Sequence, residues 1–130
     1  MADANVDVVR RLFADYAEAG VDAVLHGADE NIVIEIPPEL SAEPDTYHGH
    51  EGVRLYFAGF DGMLEDVRYE ALDLTARGDI VIAHIRLSGR GVSSGLDVAI
   101  EVFVVHELTN GKIVRIRPYA DLEGAQAAAG

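Results

Sequence analysis

Asp97-Val-Ala-Ile-Glu-Val-Phe-Val-Val-His-Glu-Leu-Thr-Asn-Gly-Lys-Ile-Val-Arg-Ile-Arg-Pro-Tyr-Ala-Asp121 reads as two long antiparallel strands joined at Asn110-Gly111. A two-residue hairpin turn needs positive φ at its central positions, and Asn-Gly adopts them with the least steric strain. β-branched and aromatic residues crowd both arms, as a pleated and largely buried sheet favours. Glu101 is the exception inside Val98 to Val105. An unpaired carboxylate is costly to bury, so the face it occupies matters for function.

The stretches before this hairpin fit the same sheet. Val67 to Ala76 and Ile80 to Ser88 are strands around an Arg77-Gly78-Asp79 turn, and Gly89 to Gly95 is a flexible connection. Asn5 to Ala19 carries Val9, Leu12, Phe13 and Tyr16 at helical spacing, and Gly20 closes it. Asp22 to His26 is a short helix, and Asn31 to Ile36 is a strand stopped by Pro37-Pro38. Glu39 to Thr46 is a polar loop, and His50 to Phe60 is a third helix. Leu122 to Ala128 adds a weak terminal turn of helix. Helices first and antiparallel strands later is the order of an α+β domain with helices on one face of a sheet.

Composition excludes several classes. The 130 residues predict one domain spanning 1–130, long enough for a core without staples. There is no Cys, hence no disulfide framework and no thiolate chemistry. The formal net charge is −13, with a single Lys, which argues against a nucleic-acid partner. No apolar run is long enough to span a bilayer, and the acidic start has no signal-peptide pattern. The expectation is a cytoplasmic protein without a membrane partner.

Several stretches together resemble the nuclear transport factor 2-like superfamily, close to the SnoaL-like polyketide cyclases and ketosteroid isomerases. They are Phe13 to Asp22, Glu35-Ile36-Pro37, Tyr47-His-Gly-His-Glu-Gly-Val-Arg54, Thr109 to Ile116, and Tyr119 to Leu122. The resemblance implies a cone-shaped, curved, mostly antiparallel sheet wrapped around the N-terminal helices, commonly in a homodimer. It does not imply one function, because this fold hosts many.

By itself the uniformly apolar odd row of Ile80 to Ser88 reads as core and the mixed even row as solvent-facing. The resemblance reverses this, so that the even positions line the cone, as do Ala99, Glu101, Phe103 and Val105. Val81, Ala83, Ile85, Leu87, Val98, Ile100, Val102 and Val104 then form the convex face of a dimer. Glu101 stands where the isomerases and cyclases carry a functional Asp, counted back from the hairpin, with His84 and Arg86 as neighbours. These three are the candidate catalytic residues. The alternative is a structural carboxylate paired with His84 or Arg86. Phe13, Tyr16, Ile36, Tyr56, Phe57, Phe60, Ile82, Phe103 and Pro118 are the expected ligand contacts. Arg115, Arg117 and Tyr119 face away.

The resemblance has limits. The isomerases' general-base Asp falls on Ile36, their oxyanion Tyr on Phe13, and its supporting Tyr on Phe57. An essential Asp of the similar limonene epoxide hydrolases falls on Pro118. Neither mechanism transfers. His48-Gly49-His50-Glu51 has metal-ligand spacing, but no third ligand is evident and the start of a helix explains it. No metal or organic cofactor is implied. Three functions remain open: acid/base chemistry of the isomerase or cyclase type on a hydrophobic carbonyl-bearing or polycyclic substrate; non-catalytic binding of a small hydrophobic molecule; or a dimerising accessory role with a vestigial pocket.

Overall fold

The computed structural model describes residues 2–36, 46–61 and 64–129. The elements are α1 (Ala2–Ala19), α2 (Val21–His26), β1 (Ala28–Glu35), β2 (Thr46–His48), α3 (Gly49–Asp61), β3 (Leu64–Arg77), β4 (Ile80–Gly91), β5 (Asp97–Thr109), β6 (Lys112–Tyr119) and α4 (Leu122–Ala129). The expected Pro37-Pro38 stop and nearly all of the Glu39 to Thr46 loop lie outside the described residues, although Thr46 itself opens β2. No described helix is long and apolar enough to cross a membrane.

The strands form one curved, unclosed six-stranded sheet in the order β2-β1-β6-β5-β4-β3. Every pairing is antiparallel except β1 with β6. Helices α1 and α3 cover the concave face. Val9, Leu12 and Phe13 of α1 and Val53 of α3 join Ile34, Ile85, Ile113 and Ile116 in one buried core. The short strand β2, unexpected from sequence, sits tightly under α3. A Cβ on Gly52 would lie 2.9 Å from the Tyr47 main chain, so only glycine fits that approach. His50 donates from Nε2 to the Ala28 carbonyl at 3.1 Å, tying α3 to β1. Lys112 Nζ donates to the His26 carbonyl at 2.8 Å, a cation placed at the end of α2.

The terminal helix is more than a weak turn. Its small residues let it lie flat on the convex face, where Ala125 is fully buried with Ile82 and Val105, against Phe103 and Tyr119.

The hairpin has the expected turn, with φ of 52° at Asn110 and 77° at Gly111. Its ladder is not regular. Thr109 pairs with Lys112 and Leu108 with Ile113, but Glu107 then pairs with Arg115, leaving Val114 as the extra residue of a bulge. An unbroken hairpin would set Val105 opposite Ile116. The bulge sets His106 there instead. Because side chains alternate with a period of two, this single insertion exchanges the faces of β5 and of β4, which pairs with it.

The face assignment made from sequence is therefore corrected. Val81, Ala83, Ile85, Leu87 and Val104 turn inward and are buried against the protein's own helices. They cannot form a dimer face. Ile82, Phe103 and Val105 point outward, under α4. Energetics favours this choice. The apolar pair Ile85↔Val102 packs with the helices, and Leu87 is buried on the same face although its partner Ile100 is 55% exposed, while Arg86↔Glu101 stays in water.

Candidate functional site

A cavity of about 390 Å³ opens between α1, α3 and the concave sheet. This volume lies in the range that holds a drug-sized molecule. Its walls come from Leu12, Phe13 and Tyr16 of α1, Tyr56 and Phe57 of α3, and Tyr47 and Tyr69 of β2 and β3. Ile85 and Leu87 of β4, Ile100, Val102, Val104 and His106 of β5, and Ile116 and Pro118 of β6 complete most of it. Among the described residues no Asp, Glu, Lys or Arg lines the cavity.

Aromatic rings pack against one another at one side. Tyr16 lies 4.9 Å from Tyr69 and 5.1 Å from Phe57, centroid to centroid. Tyr47 meets Tyr56 at 5.6 Å. Burial, and secondarily the neighbouring Tyr47, pushes the Tyr56 phenol up to about 12. Tyr56 is therefore neutral at ordinary pH.

His106 is the one imidazole on this wall. It is 1% exposed, and its Nδ1 has no hydrogen-bond partner among the described residues. Its ring meets Phe13 edge-on, with centroids 5.9 Å apart. Burial pulls it down to about 4, against backbone hydrogen bonding with Val81 and Val104 that pulls it up. The ring is thus neutral near pH 7. Sequence reasoning missed it. The available signal was its parity, since it continues the row Ile100, Val102, Val104 after an otherwise apolar strand.

Of the expected ligand contacts, Phe13, Tyr16, Ile36, Tyr56, Phe57 and Pro118 lie on the cavity wall. Ile82 and Phe103 do not, because the bulge turns them outward under α4. Phe60 sits near the end of α3, and its side chain lies outside the described set.

The expected catalytic trio is brought together, but on the opposite face from the cavity. His84 Nε2 lies 2.5 Å from Glu101 Oε1, and Arg86 lies 3.7 Å from Glu101 Oε2. His84 also stacks on Phe103 at 4.4 Å. The Glu101 side chain is 47% exposed. The expectation that it projects into the cone is corrected, and the reason is again the parity set by Val114. Arg115 is held on the convex side by Glu35 at 2.5 Å and Glu107 at 3.7 Å.

With this geometry in place, the comparisons are specific about fold. The profile of the SnoaL-like domain matches residues 9–116. No curated protein matches the chain in sequence. TerC, co-crystallised with polyporic acid, superposes with a TM-score of 0.78 at 16% identity, over 95% of this chain and 96% of TerC. A SnoaL-like polyketide cyclase from Jannaschia sp. CCS1 gives 0.78 at 20% identity, over 98% and 92%. A protein of ketosteroid isomerase-like fold from Catenulispora acidiphila, in complex with trimethylamine, gives 0.75 at 17% identity, over 92% and 89%. At these identities the three structures speak to the fold.

Proposed function

Because this chain belongs to the SnoaL-like domain family, we propose that it binds a small, neutral, largely apolar molecule in the cone between α1, α3 and the sheet. The observation that carries this reading is the wall itself: about 390 Å³, built from aliphatic and aromatic side chains without a formal charge among the described residues. A charged ligand would lose its hydration there and gain no counter-charge. The ligand complexes of TerC and of the Catenulispora acidiphila protein support the use of this fold for small molecules.

An acid/base step of the isomerase or cyclase type on a carbonyl-bearing or polycyclic substrate would fall to His106, the imidazole on the wall. Non-catalytic binding is the second reading. It is favoured by the hydrocarbon side chains of Ile36 and Phe13, which cannot exchange a proton or donate a hydrogen bond. The homodimer is retained as a proposal on a different surface. On the convex sheet face the row Glu70–Arg86–Glu101 alternates in sign beside the α4 contact, a pattern that a second copy related by a two-fold axis can match.

Fluorescence titration with phenanthrene, a neutral polycyclic probe, tests the binding reading. Saturable binding of one molecule per chain is expected, and it should be lost in Val102→Lys, which puts a charge on a half-buried wall position. No saturable binding, or binding indifferent to Val102→Lys, would refute it.

A further inference from the structure

We infer that the cone takes an elongated ligand end-on: an unbranched apolar chain that lies along β5 and leaves over Ile100 and Val98, with its polar end in water. The inference rests on the small-molecule reading above and names the shape of the ligand.

Ile100, Val102, Val104 and His106 are four successive inward positions of β5, and all four lie on the cavity wall. At a rise of about 3.4 Å per residue, this row runs for about 20 Å along one strand. Spread over that length, about 390 Å³ leaves a narrow section. The two ends of the row differ. His106 and Val104 are buried, whereas Ile100 is 55% exposed. The ladder explains the opening. Among the described residues β6 pairs with β5 only between Thr109 and Phe103, so Val102, Ile100 and Val98 stand on a free edge with β4 alone beside them. Tyr69, Leu87 and Ile100 share one row across β3, β4 and β5. Leu87 is buried and Ile100 is open, so the mouth faces the β5 edge.

Val98 is the next inward residue beyond this mouth, about 7 Å further along the strand, and it is 42% exposed. Its partner on β4 is Gly89, which has no side chain to cover it. A Cβ at Gly89 would lie 3.0 Å from the Glu65 carbonyl oxygen. Two aliphatic side chains are thus left in water in line with the cone. A compact ligand leaves them there. An extended chain covers them while its inner end reaches Val104 and His106, and each methylene it buries strengthens binding.

Methyl-resolved NMR titrations of Val-labelled protein compare hexanol, undecanol, hexadecanol and adamantylmethanol, a cage alcohol with as many carbons as undecanol. From hexanol to undecanol, affinity should rise about 2- to 4-fold per methylene, the transfer gain less the cost of fixing the chain. Undecanol should bind more tightly than the cage alcohol. The Val102 and Val104 methyls should shift with every straight-chain alcohol, and the Val98 methyls with hexadecanol but not with hexanol. Val98→Asp should weaken hexadecanol by about 4- to 15-fold, the worth of one or two buried methylenes, and leave hexanol unchanged. Tighter binding of the cage alcohol than of undecanol, no gain in affinity beyond hexanol, Val98 methyls unmoved at saturating hexadecanol, or hexadecanol binding indifferent to Val98→Asp would overturn the inference while leaving the cone as a binding site. Failure of phenanthrene and of all four alcohols to bind would overturn the small-molecule reading and this inference with it.

Discussion

The Phe13 ring and the His106 imidazole meet edge to face at 89°, with centroids 5.9 Å apart, both buried on the cavity wall. A helix residue and a strand residue thereby hold a titratable ring out of water. Burial keeps that ring neutral in the folded chain, at about 4 against an ordinary 6.5.

Stability should therefore fall in acid through His106. The unfolded chain takes up this proton as pH drops below about 6.5, and the folded chain resists until about 4. The contribution is fully present above the unfolded value and is lost as pH falls through that window. It amounts to about 3 kcal/mol at its limit. The titratable wall groups on the packed elements are tyrosines 16, 47, 56 and 69, so no described carboxylate on the wall offsets the loss. Urea unfolding of the native chain and of His106→Gln at pH 7 and pH 4 checks this. The native chain should lose about 3 kcal/mol more than the variant over that interval.

Glu101→Gln should leave binding in the cone unchanged. Its contacts with His84 and Arg86 are on the convex face, with the carboxylate side chain 47% exposed. Pairs as open as these contribute about 0–1 kcal/mol. Thermal melts and the phenanthrene titration should show a small change in Tm and an unchanged Kd. A large loss of affinity would return Glu101 to the site.

A β,γ-unsaturated ketosteroid should not be isomerised. Ile36 and Phe13, onto which the sequence resemblance carries the isomerases' base and oxyanion donor, are hydrocarbon side chains on the cavity wall. General acid–base catalysis is typically worth ~10²–10⁴-fold. Absorbance of the conjugated product measures it. Rapid conversion that persists in His106→Gln would show a base elsewhere.

Deleting Val114 should abolish the fold, whereas Val114→Thr should be tolerated. The deletion closes the bulge and turns Glu101 and Glu107 toward α1, with His106 and Val104 thrown into water. Far-UV circular dichroism and urea melts of the two variants decide this. A folded deletion variant of native stability would mean that the bulge does not set the faces.

The same residue explains what was legible in the sequence. Helical spacing in α1 and α3, the glycine stops and the Asn110-Gly111 turn are local signals, and each found its element. The apolar odd row of β4 was also legible, and taken by itself it points to the core. The faces of β5 were not legible by counting, because Val114 carries no glycine or other mark of a bulge. Glu101 drew attention as a charge in an apolar run, and His106 passed unnoticed although it shares the parity of Val102 and Val104. The packing of α4 also escaped, since Ala125 gains its burial from the long-range contact with Ile82 and Val105.

Methyl-resolved NMR on Ile- and Val-labelled protein, titrated with phenanthrene, tests the central claim most directly. Ile36, Ile85, Val102, Val104 and Ile116 line the cone, whereas Ile80, Ile82 and Val105 lie on the convex face with α4. The prediction is saturable shifts of the first group with the second unmoved. Shifts centred on Ile80, Ile82 and Val105, or none at saturating probe, would contradict it.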